Sequence, residues 1–337
     1  MEFKPDIEKT VDRYRRFWDG KETKPPLTII KLPESNPVDQ GFQCRFWQDP
    51  DGFVSHFIKS LEMRKKIPDD AVPMLRPPFG HATVPAALGA APELTSGKLY
   101  TEPVLEDVKY HTDLAVGSVW LERFEQYFKR LMELSHGRFA MSLCELPGPS
   151  DLMGYLRGLQ PLLLDLYDNP DDVISFSLHC ADLLVDFNNR VKSMLADQER
   201  YEGWWAVNCW MPDDALYFGE HMSVTYSPEL YEKFILPANS KMLSGTSHSL
   251  AYIYYEKGNH LRKHYLNRGH LTWVRSCDGD PGPDMLEEYG ERAAVSIHTD
   301  AENLERDLLR YGCKGVCYEV ACTSVQQAEE VCRTMNT

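Results

Sequence analysis

Between Trp204 and Asp284, three short apolar runs each end in a burst of polar or ionisable residues. The first is Trp204–Trp210, ahead of Asp213 and Asp214. The second is Leu250–Tyr255, ahead of Glu256, Lys257, Gly258, Asn259 and His260. The third is Leu271–Arg275, ahead of Cys277, Asp278, Gly279 and Asp280. Segments of helical length separate them. Buried parallel strands read as short apolar runs, and helical crossovers must join them. Chemistry in such sheets collects beyond the carboxyl ends of the strands. The pattern locates a site before it names a reaction.

The same alternation runs through all 337 residues without a Gly/Ser-rich divider, which predicts one domain over 1–337 with a helical extension over 1–25. A net charge of −15 argues against nucleic acid, which selects clustered Lys and Arg. No apolar run approaches the ~20 residues of a membrane helix, and the opening Met1-Glu2-Phe3-Lys4-Pro5-Asp6 lacks the apolar core of a signal peptide. Nine cysteines, an odd number without CxxC spacing, read as reduced, mostly buried thiols of a cytoplasmic protein.

Along the chain, helical patterns cover 6–19 and 52–66, with Leu27–Ile30 as a first strand between them. Residues 68–100 read as loop and short elements. Helical period returns from Glu106 to a Gly stop at His136-Gly137. A strand over Phe139–Cys144 follows, then a turn with Ser150 or Asp151 suited to capping the next helix, then a helix from Asn169-Pro170 to about Gln198. After the three runs above, with helices near 228–246, 260–268 and 283–290, Ala293–His298 and Gly315–Val320 complete about eight strands. A (β/α)8 barrel is the economical reading. An open doubly wound sheet is the alternative, without a GxGxxG or P-loop to support a nucleotide.

Four stretches carry a resemblance. Pro147-Gly148-Pro149-Ser150-Asp151-Leu152-Met153-Gly154-Tyr155-Leu156-Arg157-Gly158, Leu166–Asp171, Ser227–Pro237 and the strand–loop closed by Gly258 resemble, in that order, motifs of the uroporphyrinogen decarboxylase superfamily. That group includes the decarboxylase and corrinoid-linked methyltransferases, and the resemblance, over roughly 70–335, implies a (β/α)8 barrel. It also implies where this chain departs from its relatives. Tyr255 and Lys257 stand where thiol-methylating members place the His and Cys ligands of zinc, and a protonated lysine cannot ligate a metal. Zinc is therefore disfavoured. Arg13, Arg15 and Arg16 sit in a charged helix pattern rather than the decarboxylase's Arg-rich loop, and Pro77-Pro78-Phe79-Gly80-His81 stands where its Asp would fall.

Candidate acid–base residues are Glu145, Tyr255, Glu256, Asp278 and His298, each at or just past the carboxyl end of a predicted strand. Lys257 and Arg275 are candidate anion binders. Trp205, Asn208 and Trp210 form a candidate aromatic wall, and Glu319 closes the last strand as a substrate-binding candidate. Plain readings stand beside them: solvated loop for Glu256–Lys257, an Asp-Gly turn with Asp280 capping a helix, core for the tryptophans, and an inert buried thiol for Cys277. His260 and His264, four apart, share a helix face without a third ligand in a familiar arrangement. The preferred function is corrinoid-linked methyl transfer on a small methylated substrate. No cofactor is held tightly, the corrinoid is carried by a partner protein, and a homodimer stays open. Tetrapyrrole decarboxylation, and a non-catalytic barrel that binds a ligand or partner, are the alternatives.

Overall fold

A computed structural model describes the chain apart from residues 21–22, 34–43, 97, 268–270, 279–281, 291 and 336–337. Its strands, in chain order, are β1 (Leu27–Lys31), β2 (Met74–Leu75), β3 (Pro92–Thr95), β4 (Lys98–Thr101), β5 (Ala140–Met141), β6 (Leu146–Pro147), β7 (Gly203–Ala206), β8 (Cys209–Pro212), β9 (Leu216–Glu220), β10 (Ser249–Ile253), β11 (Trp273–Ser276), β12 (Ala294–Asp300) and β13 (Val316–Ala321). Seven of them form one all-parallel sheet in the order β1-β13-β12-β11-β10-β9-β6. Its inner strands are buried almost throughout, as a parallel sheet covered on both faces requires.

β2 and β5 make a separate parallel pair, and no strand ladder joins that pair to the seven-stranded sheet among the described residues. Two carboxylates and one main-chain bond join β1 to the segment entering β2 instead. The Asp69 carboxylate accepts the Ile30 N–H at 2.7 Å, the Asp70 carboxylate accepts the Thr28 N–H at 2.9 Å, and the Asp70 N–H donates to the Thr28 carbonyl at 2.8 Å.

Helices lie against the sheet by their apolar stripes. In the helix Ile7–Trp18, residues 7, 11, 14, 17 and 18 are buried, the spacing of one helix face. Phe17 and Trp18 meet Trp273 with ring centroids 4.8 and 5.4 Å apart, and the Trp18 indole donates to the Trp210 carbonyl at 3.0 Å. Trp273 opens β11, so this helix covers the amino ends of the strands. The helix Val119–Ser135 starts where the Ser118 hydroxyl accepts the Leu121 N–H at 3.1 Å and stops at His136, whose φ of 47° leaves the helical region. Residues Val108–Asp113, read as part of that helix, form a 3-10 turn of their own.

One reading of the sequence needs correction. Trp204–Trp210 is not a stave of the main sheet: it is the antiparallel hairpin β7–β8, with Trp205 opposite Trp210 and a turn at Val207-Asn208, where φ is 52° and 64°. Positive φ at both central residues is the geometry of a tight hairpin turn, normally signalled by Asn-Gly and here hidden inside an apolar run. The stave that the hairpin displaces is β9. No helix among the described residues is long and apolar enough to cross a membrane. Eight cysteines have described side chains and none of them is paired; six are buried, Cys313 is half-buried and Cys277 is exposed.

Candidate active site

Because the sheet is parallel, the carboxyl ends of its strands share one edge, and the ionisable residues of this chain gather there. Lateral register puts their side chains on one face: Tyr252 pairs with Gly219 on one side and Arg275 on the other, and His298 pairs with Glu319.

Three groups stand along this edge. In the first, His221 follows β9 and Cys277 follows β11, and the His221 Nε2 lies 3.4 Å from the Cys277 sulfur. On the other side of the ring, Nδ1 lies 3.3 Å from the Asp151 carboxylate. Asp151 is fully buried in the helix Pro149–Arg157 and accepts the N–H groups of His221 at 2.9 Å and Met222 at 2.6 Å. It therefore does not cap its helix, whose amino end lacks a side-chain cap. Burial pulls His221 down, but the hydrogen bonds and charges of Asp151 and Cys277 more than offset it, and the imidazole is pushed up to about 11. At neutral pH it is an imidazolium. Burial pushes the Cys277 thiol up against the pull of His221. His81 meets the His221 ring edge-on at 5.5 Å, and burial holds it below the ordinary histidine value. Tyr254 closes the other side at 5.2 Å.

The second group is Glu145, which accepts from Arg76 at 3.1 Å and from the Tyr217 hydroxyl at 2.8 Å. A cleft of about 10 Å³ separates Arg76, His81, Cys144 and Glu145, room for roughly one water. Gly219 lets the two groups approach each other. A Cβ there would stand 2.6 Å from a Glu145 oxygen and 2.8 Å from the His221 ring.

The third group is the deepest. Glu319, 1 % exposed, is ion-paired with Arg275, 3 % exposed, and with Lys31 at the end of β1. His298 Nδ1 lies 3.5 Å from the Lys31 ammonium and 4.0 Å from Glu319. Burial pushes the Glu319 carboxyl up, yet Arg275 and Lys31 together hold it well below the usual carboxylate range. The Arg275 guanidinium stacks 4.9 Å over Tyr252, whose ring is 5.9 Å from that of Tyr217, joining the third group to the second.

Of the residues named from sequence, Glu145, His298, Glu319 and Arg275 come together at this edge, with Arg275 ion-paired to Glu319 through Nη2 while its Nε and Nη1 have no hydrogen-bond partner among the described residues. Tyr255 turns away: its hydroxyl donates to Glu288 at 3.0 Å and its ring lies under Arg262. Asp278 anchors a loop, its carboxylate accepting the N–H groups of Glu256 at 3.2 Å and Lys257 at 2.9 Å. The Glu256 side chain is exposed on that loop, and the Lys257 ammonium stands 4.8 Å over Tyr254 at the rim. Trp205, Asn208 and Trp210 lie in the hairpin, packed toward the opposite end: the Trp205 indole donates to the Glu199 carbonyl at 3.0 Å, and Asn208 accepts the Val72 N–H at 2.8 Å through its carbonyl. Asp280 lies outside the described residues. His260 and His264 go to separate partners, the Tyr226 carbonyl and Glu232.

Neither a known family's pattern nor a curated protein matches the sequence. In fold, the chain is similar to a methyltransferase from Methanosarcina mazei. The match has a TM-score of 0.63 over 97 % of this chain and 98 % of that one, at 11 % identity.

The residues that sequence reading missed are His221, Asp151, Arg76, Lys31, Tyr217 and Tyr252, and Cys277 was read as buried. The signal for His221 was present. Leu216-Tyr217-Phe218-Gly219-Glu220-His221 is an apolar run ending in ionisable residues, the same pattern as the runs between Trp204 and Asp284. Asp151 carried no such signal, since its role depends on a residue 70 positions away.

Proposed function

We propose that the protein is a methyltransferase that moves a methyl group from a small molecule to a corrinoid carried by a partner protein. The observation that carries this reading is His221, its Nδ1 3.3 Å from the fully buried Asp151 at the carboxyl edge of a parallel sheet. The reading takes the β2–β5 pair as completing an eight-stave barrel around that edge, with the consecutive strands β5 and β6 as two parts of one stave. The similarity in fold to a methyltransferase supports the same class.

Transfer of a methyl group is an in-line displacement at carbon, and the atom left behind (oxygen, nitrogen or sulfur) leaves more readily when it receives a proton. His221 holds that proton at Nε2, beside an exposed sulfur and within the mouth. Asp151 fixes the ring's orientation and keeps it charged, the role of an acid's orienting partner. Glu145, held by Arg76 and Tyr217, can accept a hydrogen bond from the departing group. A partner-borne corrinoid supplies the nucleophile, and it needs an open edge, which Lys31, His298 and Cys277 border.

Zinc of the thiol-activating kind does not fit the donor set. His221 and Cys277 offer one nitrogen and one sulfur, and among the described residues no cluster of three His, Cys, Asp or Glu side chains is placed to hold a metal. Tetrapyrrole decarboxylation is the weaker reading, since the charge of Arg275 is balanced by Glu319 and the Lys257 ammonium stands over Tyr254.

Mixing the purified protein with cob(I)alamin and a panel of O-, N- and S-methyl donors should yield methylcobalamin, read by its absorbance. No product from any donor overturns the reading. Gly219→Ala should lower kcat/KM by at least about tenfold, because small displacements of reacting groups are costly, while the melting temperature moves little, since the crowded atoms are side-chain ends.

A further inference from the structure

A second cavity lies against the helix Val119–Ser135. Trp120, Arg123, Phe124, Tyr127 and Arg130 stand at i, i+3, i+4, i+7 and i+10 of that helix, so one helix face lines it. Trp47 and Pro50, at the start of the helix Pro50–Arg64, and buried Phe79 and Thr83 complete the walls. The volume is about 300 Å³, at the lower end of the roughly 300–1,000 Å³ of small-molecule sites.

Five aromatic rings and no carboxylate line this space. Phe79 meets Phe124 and Tyr127 edge-on, with centroids 5.1 and 5.2 Å apart, while Trp47 and Trp120 are only half-buried. The chain has seven tryptophans. Trp18, Trp204, Trp205, Trp210 and Trp273 each donate the indole N–H to a protein oxygen. The other two, Trp47 and Trp120, donate to none among the described residues, and both stand in this cavity. An apolar ring face beside an open N–H suits a ligand that is flat and also polar.

The two cations of the lining differ. Arg130 is neutralised by Asp51 at 2.6 Å and Glu133 at 3.4 Å. Arg123 lies 4.6 Å over the Trp120 ring, and no acid stands within ion-pair distance of it among the described residues. An unneutralised guanidinium beside apolar walls attracts an anion, even on a chain whose net charge is −15. Its planar fork matches a single carboxylate through two parallel N–H bonds.

We infer that this cavity binds a planar aromatic monocarboxylate, its rings against Trp47, Phe79, Trp120 and Tyr127 and its carboxylate on Arg123. Thr83 lines both this cavity and the cleft at Glu145, and Phe79 precedes His81 by two residues. The segment that carries His81 thus separates the cavity from the mouth. It is a site apart from that of His221, and the inference does not depend on methyl transfer.

Isothermal titration of the full chain with 2-naphthoate, 2-naphthamide and cyclohexanecarboxylate tests it. The naphthoate should bind saturably and about tenfold or more tightly than either the neutral amide or the non-aromatic acid. Arg123→Gln, at an exposed side chain, should keep the wild-type melting temperature and weaken Kd by about tenfold or more, the loss of a hydrogen bond to a charged group. Trp120→Ala should weaken it by a similar factor through lost ring contact, whereas His221→Gln should leave it unchanged. No saturable binding, an amide or a cyclohexane acid that binds as tightly as the naphthoate, a Kd unchanged in either cavity variant, or one weakened by His221→Gln would overturn the inference.

Discussion

Glu319→Gln should lower the free energy of unfolding by about 3–5 kcal/mol in urea titrations at pH 7, the usual cost of leaving a buried charge without its partner. The cost falls on Arg275, which is 3 % exposed and has no second acid within ion-pair distance among the described residues; Lys31 is nearer the surface and can regain water. The control is Arg275→Met/Glu319→Leu. Removing both charges from a dry site is often neutral or stabilising, so the double variant should recover most of the loss. If the double variant is as unstable as Glu319→Gln, the loss comes from packing and the electrostatic account fails. The pH dependence has a definite sign. Glu319 has a folded pKa below its unfolded one, so its contribution is present in full above the ordinary glutamate value of about 4.3. It is lost as pH falls from there toward the folded value. Wild type should weaken below that point, and Glu319→Gln should lack this part of the acid transition.

His221→Gln should reduce kcat/KM for methyl transfer by about 10²–10⁴, the range supplied by a positioned general acid. Glutamine keeps an N–H near Nε2 but cannot deliver a proton, which separates acid catalysis from hydrogen bonding. Asp151→Asn tests the cause of the protonation. With its carboxylate gone, the imidazole should fall from about 11 toward the ordinary histidine value of about 6.5. The variant should retain activity near pH 5.5 and lose it as pH rises through neutrality, while wild type holds its acid form into the alkaline range. A parallel pH profile for Asp151→Asn and wild type would show that Asp151 merely supports the loop. The ion pair also adds stability, present in full below about pH 6.5 and lost as pH climbs through about 11.

Much of the sheet was legible because burial on both faces leaves parallel strands no choice but to be apolar. β10, β11, β12 and β13 all fall within a few residues of the runs read from sequence. The hairpin β7–β8 defeated the same rule, since it is also buried on both sides and its turn residues, Val207-Asn208, do not break the apolar run. That error hid β9, and with it His221. Glu145, His298 and Glu319 were found because a single strand end places each of them. The pair Asp151–His221 was not, because neither residue's neighbours in sequence specify the other. Ser150 and Asp151 follow a Pro-Gly turn and look like helix caps. In the folded chain Ser150 donates to Glu220 and Asp151 holds His221, so local capping gave way to tertiary partners.

The junction between β1 and the segment entering β2 behaves unlike the rest of the sheet. A main-chain ladder is indifferent to which side chains it carries, so most strands can drift in sequence without losing their neighbours. Here two acidic side chains supply the acceptors for Thr28 and Ile30. Residue identity at 69 and 70 thus enters the architecture itself. At this seam a change to alanine removes the acceptor of the Thr28 or Ile30 N–H along with the side chain, and only the main-chain bond from the Asp70 N–H to the Thr28 carbonyl stays.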